Sequence, residues 1–136
     1  MLIKDSARAD YFTALDKTLL CELLHPEREP GNLEMDYSLA QAVLKPGRSS
    51  LPHKLKTASE VYYILEGEGL LVIGEESERV RSGQAIYIPP NSVQFLRNIG
   101  EQDLKFLCLV SPPWRIEEEE LGQGTPEMVC GPEEGT

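Results

Sequence analysis

The chain has 136 residues, 40% of them hydrophobic and 26% charged, which is enough for one domain with a buried core and too little for two ordinary ones. Its 23 acidic against 13 basic side chains give a formal net charge of -10, which repels a phosphate backbone and excludes nucleic acid as an expected partner. Apolar runs such as FLCLV at 106–110 are far too short to cross a bilayer, and the first ten residues are charged rather than signal-like. A soluble, cytoplasmic protein with no membrane partner is expected. The three cysteines, Cys21, Cys108 and Cys130, lack metal-finger spacing and are expected as reduced thiols.

Along the chain, β-prone runs separated by turn residues extend from about residue 12 to 111, without a sustained helical period. Strands are expected over 18–24, 38–44, 51–56, 60–66, 69–73, 78–81, 84–88, 92–98 and 105–110. The joints KPGRSS, EGEG, GEES, RSG, IPPNS and NIGEQD supply the Gly, Pro or Asn that reversals need. Residues 26–36, PEREPGNLEMD, form a polar connection long enough to cross the end of a sheet. This spacing predicts an all-β barrel or sandwich occupying residues 1–114. From Arg115 onward the chain carries seven glutamates and one base among several Gly and Pro, so 115–136 is expected as a flexible acidic tail. Within it, RIEEEEL is able to form a short helix, with Trp114 and Ile116 docking on the body.

The chemistry concentrates in PHKLKTASEVYYILEGEG, residues 52–69. Side chains two apart on a strand share a face, so His53 points with Leu55, and Glu60 with Tyr62 and Ile64. An acid among such apolar neighbours is costly unless neutral, paired or bound to a cation. Glu60 therefore needs a partner, and the imidazole of His53 is nearest in sequence. Tyr62, on the same face as Glu60, reads either as a proton donor in a cavity or as a core tyrosine with its hydroxyl at the rim.

Read from Gly47, these residues resemble the first cupin motif: glycine, five residues, His53, one residue, Leu55, four residues, Glu60, six residues, Gly67. Leu55 stands where the second histidine of the motif is expected. GQAIYIPPNSVQFLRN, from Gly83, resembles the second motif, with Asn91 in place of a glycine and Gln94 in place of the third histidine. The resemblance implies a small antiparallel jelly-roll barrel, open at one end, with a metal site near the mouth. It implies His53, Glu60 and Gln94 as ligands of a divalent transition metal such as Mn, Fe, Ni or Zn, because Leu55 cannot bind a cation and an amide suits oxygen-tolerant ions. His25, at the end of the first predicted strand, is the other histidine that could replace the missing ligand; its plainer reading is a surface histidine at a strand end.

Two functions follow. The first is a metal-dependent enzyme, dioxygenase-like or isomerase-like, acting on a small organic molecule, with Glu60 or Tyr62 moving a proton. The second is a metal-free module holding a small ligand with His53, Gln94 and Tyr62 as polar anchors. Val61, Tyr63 and Leu65, on the opposite face of their strand, need a cover that a barrel without helices lacks, from a second subunit or the N-terminal strand; a homodimer is expected.

Overall fold

The computed structural model describes residues 1–31 and 33–122. Strands follow in chain order: β1 (Phe12–Thr13), β2 (Leu19–Leu24), β3 (Ser38–Leu44), β4 (His53–Leu55), β5 (Ser59–Glu66), β6 (Glu68–Ile73), β7 (Glu76–Arg81), β8 (Ala85–Ile88), β9 (Gln94–Asn98), β10 (Leu104–Ser111) and β11 (Glu119–Leu121). Pairing is antiparallel in two sheets, a six-stranded one in the order β1-β2-β3-β10-β5-β8 and a five-stranded one in the order β11-β4-β9-β6-β7. This is the two-sheet arrangement of a jelly roll, as expected.

The alternation that marked β5 and β10 as half-buried decides which faces meet. Tyr62, Ile64, Phe106 and Cys108 project inward from one sheet and pack on Leu71 and Leu96 from the other. The rings of Tyr62 and Phe106 lie 4.9 Å apart, tilted by 57°. Strand β7, ESERVR, buries only Val80, and its charged outer side chains suit a sheet edge.

Glycine is irreplaceable at the β5–β6 reversal. Gly67 has φ 90°, and a Cβ there would lie 2.7 Å from the Asp103 carbonyl oxygen and 3.0 Å from Leu104 Cα. Both neighbours are backbone, which cannot swing aside, so Gly67→Ala should destabilise the fold by about 3 kcal/mol, measured as a lower urea midpoint. Asn91 stands where the motif carries glycine and adopts φ 62°, a left-handed conformation that asparagine tolerates.

The expected tail is corrected over its first part. Residues Ile116–Glu118 form a 3-10 turn, and β11 then pairs with β4, Glu119 opposite Leu55 and Leu121 opposite His53. One carboxylate oxygen of Glu118 accepts from the Thr57 N–H at 2.8 Å, the Thr57 hydroxyl at 2.8 Å and the Ala58 N–H at 2.9 Å. Lys54 and Lys56 each approach the Glu120 carboxylate, at 3.7 and 3.5 Å. Composition concealed this, because β4 offers a free backbone edge, and Lys54 on it and Lys56 just after it make a run of glutamates welcome there. The expected flexible tail over 123–136, and Cys130 with it, lie outside the described residues. Cys21 and Cys108 are buried free thiols. No helix among the described residues is long and apolar enough to cross a membrane.

Candidate metal centre

Four of the residues singled out in the sequence meet inside the barrel. His53 and Gln94 are direct cross-strand partners on β4 and β9, so their side chains share one face. Glu60 and Tyr62 reach them from β5 in the opposing sheet. The Nδ1–H of His53 donates to the Leu51 carbonyl at 2.8 Å, which leaves Nε2 to face the interior. The Gln94 amide nitrogen lies 2.9 Å from that Nε2, donates to the Tyr62 hydroxyl at 2.8 Å, and stands 3.5 Å from the Glu60 carboxylate. An amide has two N–H groups, so His53 and Tyr62 take them and Glu60 is the weakest partner. Gln94 Oε1 is buried without a hydrogen-bond partner.

His25 is not brought to this cluster. It is 1% exposed, so it is not the surface residue of the plainer reading. Its Nδ1 accepts from the Glu27 N–H at 3.1 Å, which places the proton on Nε2, and that N–H donates to the Trp114 carbonyl at 2.7 Å. With both nitrogens taken by backbone, no lone pair remains for an ion.

The place left by Leu55 is filled differently. Asp16, His53 and Glu119 each offer a ligand atom within 4.8 Å of the others. Asp16 sits in the turn between β1 and β2; its Oδ1 accepts from the Thr18 N–H at 3.1 Å and the Thr18 hydroxyl at 2.8 Å, while its Oδ2 stands 3.4 Å from His53 Nε2. The Leu51 N–H donates to the Asp16 carbonyl at 2.7 Å, locking that turn onto the strand that precedes His53. Glu119 enters from β11, opposite Leu55, and its Oε1 accepts from the Trp114 indole N–H at 2.8 Å. Neither acid was singled out in the sequence. The Asp-x-Thr in TALDKT is a local signal for a turn built on Asp16. Glu119 had no signal of its own within four consecutive glutamates.

Burial, and the acids gathered around one imidazole, shift four groups here: Glu60, His53, Glu119 and Tyr62. Burial pushes Glu60 up to about 8; His53 opposes this, and Asp16 and Glu119 add to it. For His53, burial is the largest single influence and favours the neutral ring, but Asp16, Glu60, the Leu51 carbonyl and Glu119 together raise it above its ordinary value. Glu119 is also raised, chiefly by burial, against the pull of His53. Burial drives the Tyr62 phenol well above its usual range, with the Glu60 charge adding to it.

The sign for stability follows from Glu60. An acid that holds its proton in the folded state up to about pH 8, and loses it unfolded near 4.5, weakens folding progressively as pH rises between those values. In protein kept in a chelator, Glu60→Gln should therefore be more stable than the parent, by a margin that grows from pH 5 to 8. Thermal melts across that range check this; a margin that shrinks with pH contradicts it.

One imidazole nitrogen and two carboxylates, with surplus negative charge and a third acid beside them, form a donor set that can coordinate a divalent metal ion. The partnerless Gln94 carbonyl fits the same use, since a half-turn of the amide would present oxygen in place of nitrogen. The expected trio His53, Glu60 and Gln94 is arranged otherwise: His53 and Gln94 hydrogen-bond directly, and Glu60 lies outside the set of ligand atoms that converge. Beside the cluster is a cavity of about 340 Å³, walled by Phe12, Leu20, Ala42, Phe106, Val110 and Trp114. Asp16, His53, Glu60, Tyr62 and Glu119 line it too, with Glu22 and Arg28, so mostly apolar walls carry polar groups as in a small-molecule site.

A family model described as a cupin domain matches residues 40–110. An uncharacterized protein of Methanocaldococcus jannaschii is 42% identical over 106 residues, covering 78% of this chain and 82% of that protein. An oxalate-binding protein of Thermotoga maritima is 31% identical over 71 residues, covering 52% of this chain and 59% of its own length. Among solved structures, a predicted oxalate decarboxylase from Thermotoga maritima superposes with a TM-score of 0.71 at 22% identity, over 82% of this chain and 99% of that one. A Streptomyces nucleoside dehydratase gives 0.71 at 14% identity, over 94% and 96%. At these identities the superpositions speak for the fold alone.

Proposed function

Because the chain belongs to the cupin family, we propose that it holds one divalent metal ion through His53 Nε2, Asp16 and Glu119 and acts on a small organic molecule in the adjoining cavity. The convergence of those three ligand atoms within 4.8 Å is the observation that carries this reading. Mn, Fe, Ni and Zn all accept such a mixed nitrogen and oxygen set. When bound, the ion would polarise a carbonyl or enol oxygen, the chemistry shared by dioxygenase-type and isomerase-type reactions. The chain's own residues do the rest. Phe106, Val110 and Trp114 exclude water around the ligand, and Gln94 yields the His53 Nε2 lone pair to the ion while keeping its bond to the Tyr62 phenol. Glu60, beside that bond, holds and moves a proton. The similar oxalate-binding protein of Thermotoga maritima supports small organic molecules as the ligand class.

A second reading, a metal-free binder, is favoured by one specific feature: His53, Gln94 and Tyr62 already hydrogen-bond to one another without an ion. Elemental analysis of the purified protein after gentle dialysis separates the two. Near-stoichiometric transition metal that disappears in His53→Ala supports the metal enzyme; protein that is metal-free and cannot be loaded supports the binder.

We also propose a homodimer formed across the outer face of the β5–β8 sheet. Tyr63 and Tyr87 are 40% and 62% exposed there, and the N-terminal strands extend the far edge of that sheet rather than cover it. Light scattering on the eluting protein should give twice the chain mass, and Tyr63→Glu should halve it.

A further inference from the structure

We propose that Trp114 is a positioning residue for the metal centre: its indole N–H fixes the Glu119 carboxylate so that this acid, on an edge strand, presents its remaining lone pairs to the ion. The inference rests on the metal reading above. Strand β11 spans only Glu119–Leu121 and lies at the end of its sheet, which leaves a glutamate there free to swing unless something holds it. The indole does so, donating to Oε1 at 2.8 Å. A carboxylate has about four acceptor positions, so a bond from the indole leaves room for a cation.

Trp114 is itself held on every side. Its backbone N–H donates to the Ser38 hydroxyl at 2.9 Å and its carbonyl accepts from His25 Nε2 at 2.7 Å. The guanidinium of Arg28 lies 5.6 Å from the ring centroid, over its face. The ring packs on Leu55, Ala58 and Val110, beside the position where the motif would have placed a histidine. His25 stays outside the centre and holds only the backbone carbonyl of the residue whose indole grips Glu119. A half-buried indole N–H usually finds an acceptor. Here the acceptor is one of the three converging ligands, and that turns a packing requirement into a constraint on the site.

The test uses the full chain and cobalt(II) alone as probe, titrated calorimetrically. Trp114→Phe keeps an aromatic wall and removes the N–H. Because Trp114 is the chain's single tryptophan, biosynthetic replacement by 3-benzothienylalanine exchanges the N–H for sulfur in an almost unchanged ring. Both should weaken cobalt(II) about 10-fold, as expected for loss of a partner that orients a ligand, and the benzothienyl protein should do so with its melting temperature unchanged. Glu119→Gln should weaken binding at least as much, and adding Trp114→Phe to it should cost nothing further. Parent-like affinity in the benzothienyl protein, or losses that add in the double variant, would overturn the positioning role while leaving the metal reading intact. A parent chain that takes up no cobalt(II) would overturn the metal reading, and the positioning role with it.

Discussion

Replacing His53 with alanine should weaken divalent metal binding more than about 100-fold, beyond the 10- to 100-fold typical of losing a residue that merely supports a ligand. His53 supplies the only nitrogen in the converging set, and its Nδ1–H bond to Leu51 fixes the ring with Nε2 already facing Asp16 and Glu119. Without it two acids are left to bind the ion alone, and the Gln94 N–H loses its acceptor. That second loss leaves a buried donor unsatisfied and should cost about 1–3 kcal/mol of stability in metal-free protein. His25→Asn separates the two histidines: both His25 nitrogens are spent on backbone, so its effect on affinity should stay within about 10-fold, the lower end for a supporting partner. Calorimetric titration of the two variants beside the parent checks the contrast, and equal losses would remove the distinction drawn between them.

The second large effect concerns where the chain is cut. A chain ending at Trp114 loses the Glu118 carboxylate that receives three hydrogen bonds from Thr57 and Ala58, the pairing of β11 with β4, and Glu119 itself. At about 1 kcal/mol net for each hydrogen bond, discounted for solvent around Glu118, stability should fall by about 2–4 kcal/mol and metal binding should disappear. A chain ending at Gly122 keeps all of these. It closes with the Gly122 N–H donating to the Pro52 carbonyl at 2.6 Å, and it should still bind the metal and unfold at a higher urea midpoint than the chain cut at Trp114. If the cut at Trp114 left affinity unchanged, Glu119 could not be a ligand.

The legible part of the fold was the part written in side-chain alternation and turn chemistry. Strands from Leu19 to Ser111 stand within a few residues of their expected places because inward residues such as Tyr62, Ile64 and Phe106 repeat at period two between Gly- and Pro-rich joints. Strands β1 and β11 were invisible for the opposite reason. Two residues carry no period, and a strand of Glu-Glu-Leu is specified by the free edge of β4 and by Lys54 and Lys56 beside it rather than by its own composition. The same limit divided the site. His53, Glu60 and Tyr62 lie on strands whose facing follows from the pattern, Gln94 was marked by the motif resemblance alone, and the four do meet. Asp16 and Glu119 arrive from a turn and an edge strand, so their approach to His53 depends on tertiary pairing that one-dimensional spacing cannot express. Leu55 signalled that a ligand was missing; only the cross-strand register, which sets Glu119 opposite it, points to the replacement.

The most direct measurement is anomalous scattering from crystals of the full chain grown with manganese(II) or zinc(II), collected above and below the metal edge. The arrangement described here predicts a single strong peak within bonding distance of His53 Nε2 and one oxygen each from Asp16 and Glu119. A peak seated between Glu60 and Gln94 instead, or a fully loaded solution that yields no peak inside the barrel, would contradict it.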